Sequence, residues 1–385
     1  MINVLYISHE TYEVAGSTFS LANHLHALRS EVHPLVVLPN KGPAADYLRN
    51  LGYNVQIVPF KLNISPNRFA WLKRLPRMVY DDWKNLQACR ILRPIIHDSH
   101  IQMIHTNTSA TIFGSYLTHY IEVHDHRHIP HVWHLREFLD LDFGFTPFNG
   151  WPHLRKLVND ADATISITQA VHDHFITNSD DVRHHVINDA VCSISQLSCS
   201  AKLPYLLFCG KVIPEKGPEL ALDIFHTLHL KHPNYHLVYV GSVEAQYQRF
   251  LETKAKDYGI SDAVTFKHFQ TDIHPFISQA TALLMCSRNE AQGRVTVEAM
   301  FYGTPVIAMS SGGSLEIISD NVNGLLFNTV EKGAQQCSRI IEDTTLAQSI
   351  IKNAQQTAAS RFSEEVYRTK MVKIYNSLLN NNSTI

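Results

Sequence analysis

Short runs of β-branched and apolar residues recur along the chain, separated by longer stretches in which apolar positions return every three or four residues. Runs of that length bounded by turn formers read as strands, and the longer period reads as amphipathic helix. The pattern therefore predicts strand–helix units around largely parallel sheets. In the first half, strands are expected at residues 3–7, 32–38, 55–58, 103–105, 130–134, 163–167 and 184–187, with helices such as 18–29 and 109–121 between them. In the second half they are expected at 205–209, 236–240, 264–266, 282–286, 305–308 and 324–327, with helices at 218–230 and 295–301. Residues 190–204 are small, polar and weakly periodic, and are expected to link the two halves.

A chain of 385 residues exceeds the size at which one core usually stops growing. Two Rossmann-like, doubly wound domains are expected: residues 1–195, joined by a returning carboxy-terminal helix at 363–385, and residues 196–362. Open α/β sheets bind ligands beyond the carboxyl ends of their strands, and pockets favour domain interfaces, so a crevice between the domains is the expected ligand site. Charge narrows the partners. With 33 Lys and Arg against 35 Asp and Glu, the net charge of −2 provides no global basic field of the kind nucleic-acid binding uses. The six cysteines are scattered without a CxxC pair, which argues against a zinc site or disulfide framework and fits a reducing cytosol. No signal peptide or membrane-spanning run is read, and a cytoplasmic location is expected.

Two segments carry candidate chemistry. The strand at 205–209 runs into Gly210-Lys211-Val212-Ile213-Pro214-Glu215-Lys216-Gly217, which sets two lysines on a strand-to-helix loop. Fixed cations there can stabilise a leaving diphosphate, although solvated loop lysines would look the same. After the strand at 282–286 come Glu290 and Glu298, the first on a loop and the second about one turn inside a helix that starts near Arg294. Carboxylates accept hydrogen bonds from hydroxyls, and the first amides of the helix, near Gln292, Gly293, Arg294 and Val295, suit phosphate. An isolated surface pair of glutamates is the ordinary alternative.

The stretch Glu290-Ala-Gln-Gly-Arg-Val-Thr-Val-Glu298, with Gly303-Thr-Pro-Val-Ile-Ala308, Gly312-Gly313-Ser-Leu-Glu316 and Asn323-Gly324-Leu325-Leu326-Phe327, strongly resembles the retaining glycosyltransferases of family four. The resemblance extends towards the amino terminus through Ala15-Gly16-Ser17-Thr18 and His134-Leu135-Arg136-Glu137-Phe138. It implies a GT-B fold, two Rossmann-like domains facing each other across a crevice, and an enzyme that transfers a hexose from a nucleotide sugar, UDP- or GDP-linked, without a metal or further cofactor. By the same resemblance Lys211 stands where arginine is usual and Lys216 binds phosphate. Glu290 touches the transferred sugar, Glu298 the ribose, Gly16 closes over the diphosphate and His134 orients the donor. Gly210 belongs to the donor loop, and Arg136 and Glu137 are candidate acceptor contacts. Ala15, Gln292 and the Lys267-His268-Phe269 run depart from the family pattern. The implied acceptor is a glycan or a polyprenyl-linked oligosaccharide in surface polysaccharide synthesis. An epimerase, a phosphorylase and a silent partner subunit are the rival readings.

Two further features stand outside those motifs. Among 24 histidines, His124, His126, His128, His131 and His134 cluster. Alternate strand residues share a face and could bind zinc, but Asp125, Arg127 and Pro130 favour a solvated loop entering a strand. Residues 61–93 interleave Lys61, Arg68, Lys73, Arg74, Arg77, Lys84, Arg90 and Arg93 with Phe69, Trp71, Leu72, Leu75, Met78 and Trp83. That composition suits either packing on the first sheet or contact with an anionic membrane surface on the cytoplasmic side.

Overall fold

The computed structural model describes residues 1–9, 14, 16–66, 74–178, 180–288 and 290–382, with the side chains of 66, 74, 75, 381 and 382 not described. Ala15, Arg68, Phe69, Trp71, Leu72 and Lys73 thus lie outside the described residues. The chain divides into two compact units, Met1–Ala190 with Glu365–Ile385, and Val191–Glu364.

The first unit is built on a seven-stranded sheet in the order Asn54–Ile57, Val32–Leu38, Ile2–Ile7, Met103–Thr106, His131–Leu135, Ala163–Ser166, His184–Val186, with every neighbouring pair parallel. The order reverses beside Ile2–Ile7, the mark of a doubly wound sheet. Both faces are covered, which explains why its strands are apolar almost without alternation. Val4 and Tyr6 pack with Leu21, Leu25, Tyr367, Met371 and Tyr375 from the helices Gly16–Ala27 and Glu364–Asn382. Leu5 and Ile7 pack the opposite way, against Ala88, Cys89, Leu92, Phe113 and Leu117 from Arg74–Asp98 and Phe113–Asp125. A two-stranded antiparallel ribbon, Ile64–Pro66 with Phe145–Pro147, was not foreseen.

The second unit has six parallel strands in the order Val264–Phe266, His236–Val240, Leu203–Cys209, Ala280–Met285, Val306–Met309, Leu325–Phe327. In chain order this is 3-2-1-4-5-6, the doubly wound arrangement of dinucleotide folds. Leu206 and Phe208 face the helices Pro218–His229 and Val330–Glu342, while Leu207 faces Arg294–Phe301 and Thr344–Arg361. Residues 191–204 are less linker-like than expected. A short 3-10 turn, Ile194–Gln196, carries a Ser193–Gln196 capping box, and the Ser198 amide bonds to the Phe301 carbonyl, which ties the stretch to the second unit.

Candidate active site

The switch point of the second sheet lies between Leu203–Cys209 and Ala280–Met285, and the loops leaving their carboxyl ends meet there. Gly217 makes the meeting possible. It has φ of 71°, and a Cβ on it would stand 2.4 Å from the Cys286 carbonyl oxygen, so any other residue would push the loops apart. With the loops in contact, Lys216 Nζ lies 2.8 Å from Glu290 Oε2. Lys216 remains a third exposed, while the Glu290 side chain is mostly buried. Lys211 is exposed on the same loop, and Gly210 bonds its amide to Val240. Gly312 and Gly313 lie against the far side of the glutamate loop. The Gly313 amide donates to the Glu290 carbonyl at 2.7 Å, and a Cβ there would come within 2.5 Å of the Ala291 carbonyl oxygen. The Gly-Gly pair thus fixes the backbone that carries Glu290.

Gly293, at φ 72°, is the residue ahead of the helix Arg294–Phe301. The first bonds back to its carbonyl come from Thr296 and Val297, so the Val295 amide stands ahead of them at the positive end of the helix dipole. Inside the first turn Arg294 Nε donates to Glu298 Oε1 at 2.8 Å. Glu298 is 6% exposed, and among the described residues its Oε2 has no hydrogen-bond partner; Thr296 Oγ1 and Ser314 Oγ are buried and unpartnered in the same sense. Burial raises the Glu298 pKa, with Arg294 opposing the rise. Gln292 is buried beside this turn. Keeping polar atoms out of water without partners costs free energy, so these oxygens are suited to pair with hydroxyls or amides of a ligand, or with water.

In the first unit His134 lies within His131–Leu135, opposite Ile165, and is completely buried. A parallel sheet covered on both faces encloses every side chain of an inner strand, and the ring of His134 packs near those of His24 and His105. Arg136 is also buried. It forms an ion pair with Asp189, donates to Asn107 Oδ1 at 2.8 Å and approaches His134 Nδ1 at 3.4 Å. Glu137 accepts from Thr108 Oγ1 at 2.5 Å and from the Ser109 amide at 2.7 Å. The carbonyl of Glu137 takes the Ser109 hydroxyl as well. Both acceptor-side candidates are therefore occupied by internal hydrogen bonds that hold residues 107–109, which is also why the helix expected from 109 begins only at Phe113. Gly16 opens its helix in the open, with nothing within 4 Å of where a Cβ would stand.

The histidine tract does not assemble. His124 stacks on Tyr120, His128 pairs with Asp162 and His131 bonds to Thr106. The histidines that converge are His24, His105 and His134, whose nearest ring nitrogens lie within 4.8 Å of one another. His24 Nδ1 meets Tyr367 OH at 2.5 Å and His105 Nδ1 meets Tyr375 OH at 2.7 Å. Burial pushes all three pKa values well below the usual imidazole range, and the Arg136 guanidinium pushes the same way. Three neutral imidazoles could in principle hold a metal, but that guanidinium opposes a second cation, so the cluster reads as a hydrogen-bonded anchor for the carboxy-terminal helix. Sequence reasoning missed Asp189, Asn107, His24, His105 and the two tyrosines, because nothing in their local spacing marks residues that only the topology brings together.

Comparison with known proteins follows the same division. Residues 194–357 match the family model of glycosyl transferases group 1. The lipopolysaccharide core biosynthesis glycosyltransferase LpsE of Rhizobium meliloti is 28% identical over 173 residues, 44% of this chain and 49% of that protein. The glycosyltransferase 1 domain-containing protein 1 of Xenopus tropicalis is 30% identical over 181 residues, 46% of this chain and 52% of that protein. The chain thus spans about half the length of the curated relatives it matches. Among solved structures, Anabaena Alr3699/HepE in complex with UDP and glucose superposes with a TM-score of 0.79 at 21% identity, covering 98% of this chain and all of that one. Residues 194–357 thus match the glycosyl transferases group 1, in a chain whose two α/β units have the GT-B fold.

Proposed function

We propose that the chain is a retaining glycosyltransferase that moves a hexose from a nucleotide sugar to a hydroxyl of a glycan or lipid-linked oligosaccharide, in the synthesis of a surface polysaccharide. The observation that carries this reading is the set of charged groups at the second switch point: Lys216 against Glu290, and Glu298 with one oxygen open. A diphosphate competes with Glu290 for Lys216. Once the cation turns to phosphate, the Glu290 carboxylate is released to accept from hydroxyls of the transferred ring, while Glu298 Oε2 takes a ribose hydroxyl and the Val295 amide meets phosphate. Lys216, with Lys211 on the same loop, stabilises the departing diphosphate, and the acceptor attacks from the face that the diphosphate leaves. UDP is the nucleotide to test first, since Alr3699/HepE has been crystallised with UDP and with UDP-glucose.

The experiment is a thermal-shift screen of nucleotide sugars, followed by turnover of the best binder with and without glycan acceptors and NMR assignment of the product anomer. Transfer with retained configuration is the expected result. Epimerised donor in the absence of acceptor, an inverted anomer, or binding with no turnover on any acceptor would each overturn the reading.

A further inference from the structure

The helix Arg74–Asp98 buries Ala88, Cys89, Leu92 and Ile96 against the first sheet, as an amphipathic helix should. Its outer side is not the polar face such a helix normally presents. Val79, Tyr80, Trp83 and Ile91 are 69%, 46%, 51% and 47% exposed. At 3.6 residues per turn, positions 79, 80, 83, 90 and 91 fall along one stripe. Cations border it. Lys84 Nζ lies 5.0 Å from the Trp83 ring and 5.8 Å from that of Tyr80, Lys61 Nζ lies 5.6 Å from the Tyr80 ring, and Arg77 and Arg90 are exposed. The nearby acids are less exposed: Asp81 is buried and pairs with Arg77 Nε at 3.7 Å, and Asp82 is half-buried.

We propose that this face docks on the surface of an anionic lipid bilayer. Tyrosine and tryptophan carry an apolar body with a polar tip and settle at headgroup depth, where Tyr80 and Trp83 would lie with Val79 and Ile91 beneath them. Lys61, Lys84 and Arg90 then face lipid phosphates. One-signed charge bordering an apolar stripe matches a negatively charged plane, whereas a helix exposed only to water has no use for four uncovered large apolar side chains. No described helix is long and apolar enough to cross a membrane, so the contact is peripheral. The inference is independent of the donor site: vesicle binding by a chain that turns over no donor would leave it standing and sink the transferase reading.

The test is co-sedimentation of the full chain with vesicles of phosphatidylcholine plus phosphatidylglycerol, against phosphatidylcholine alone, at low and high salt. The chain should bind the anionic vesicles, release with salt, and show a blue-shifted emission that Trp83→Phe removes. Lys84→Gln with Arg90→Gln should weaken binding by roughly thirtyfold, the change expected for losing two surface cations, while thermal unfolding stays as in the wild type. Equal binding to both vesicle types, or no binding to either, overturns the proposal, and the wild-type salt dependence decides it if the double variant does not fold. Self-association that Trp83→Ser abolishes, without vesicle binding, would assign the face to a second copy of the chain instead.

Discussion

Changing Glu298 to glutamine alters the residue at the one place in the second unit where a buried carboxylate oxygen waits without a partner among the described residues. In the wild type Oε1 is engaged by Arg294 Nε at 2.8 Å, so Oε2 is the oxygen left for a ligand. A hydrogen bond from a hydroxyl to an ionised carboxylate contributes about 1.5–3 kcal/mol, which sets the expected loss at roughly 10- to 150-fold in Kd for UDP. Glutamine preserves the shape, but it can keep its carbonyl towards Arg294 only by turning an amide donor to where an acceptor was needed. Calorimetric titration with free UDP measures the effect directly. Glu290→Gln should not weaken UDP binding and should tighten it modestly, because it removes the carboxylate that competes with the diphosphate for Lys216. A second arm uses pH. Since burial raises the Glu298 pKa above its ordinary 4.5, the carboxylate protonates earlier on acidification, and wild-type affinity should fall more steeply with falling pH than that of Glu298→Gln, which shares only the titration of the UDP phosphate. Unchanged affinity in Glu298→Gln, or a larger loss in Glu290→Gln, would refute the assignment of ribose to Glu298.

Lys216→Ala should lower turnover by a factor on the order of a hundred, the scale for losing one preorganised charge, and Glu290→Gln should chiefly lower kcat; near-wild-type rates in folded protein would remove both from the chemistry. Gly217→Ala should cost about 1–3 kcal/mol in denaturant unfolding, from its positive φ and the clash with the Cys286 carbonyl, and unaltered stability would mean that the loops do not need their close approach. The buried histidines predict acid sensitivity. Their folded pKa values are depressed, to about 4 for His131, so stability is complete above the unfolded value of 6.5 and declines as the pH falls below it. At pH 5 His131 alone should cost about 2 kcal/mol, and His24, His105 and His134 add to it in the same direction. A melting temperature that does not move between pH 7 and about pH 5 would contradict this account.

The strands at 32–38 and 236–240 lie where apolar runs place them, because a sheet covered on both faces writes itself into sequence as runs of hydrophobicity. The Lys216–Glu290 neighbourhood was legible for a related reason: both residues follow such strands within a few positions, and the topology brings the two strand ends together. The surroundings of His134 were not legible, because an apolar run identifies a strand without saying which helix will return to cover it. That helix comes from the far end of the chain, and Tyr367 and Tyr375 meet His24 and His105 at separations of 343 and 270 residues, beyond any local pattern. The ribbon Ile64–Pro66 is too short and too interrupted by proline to register as a strand.

The same distances have a consequence for the order in which the chain is made. A ribosome delivers the seven strands of the first sheet, then the whole of Val191–Glu364, and only afterwards Tyr367 and Tyr375. Throughout that interval His24, His105 and Tyr6 lack the hydroxyls that later satisfy them, and Val4 and Met103 lack the cover of Met371 and Tyr375. The inserted unit has no such debt, since every strand of its sheet lies within one uninterrupted segment. The part synthesised first is therefore the part completed last, and while the second unit is being made the exposed face of its sheet is a surface for chaperones to hold.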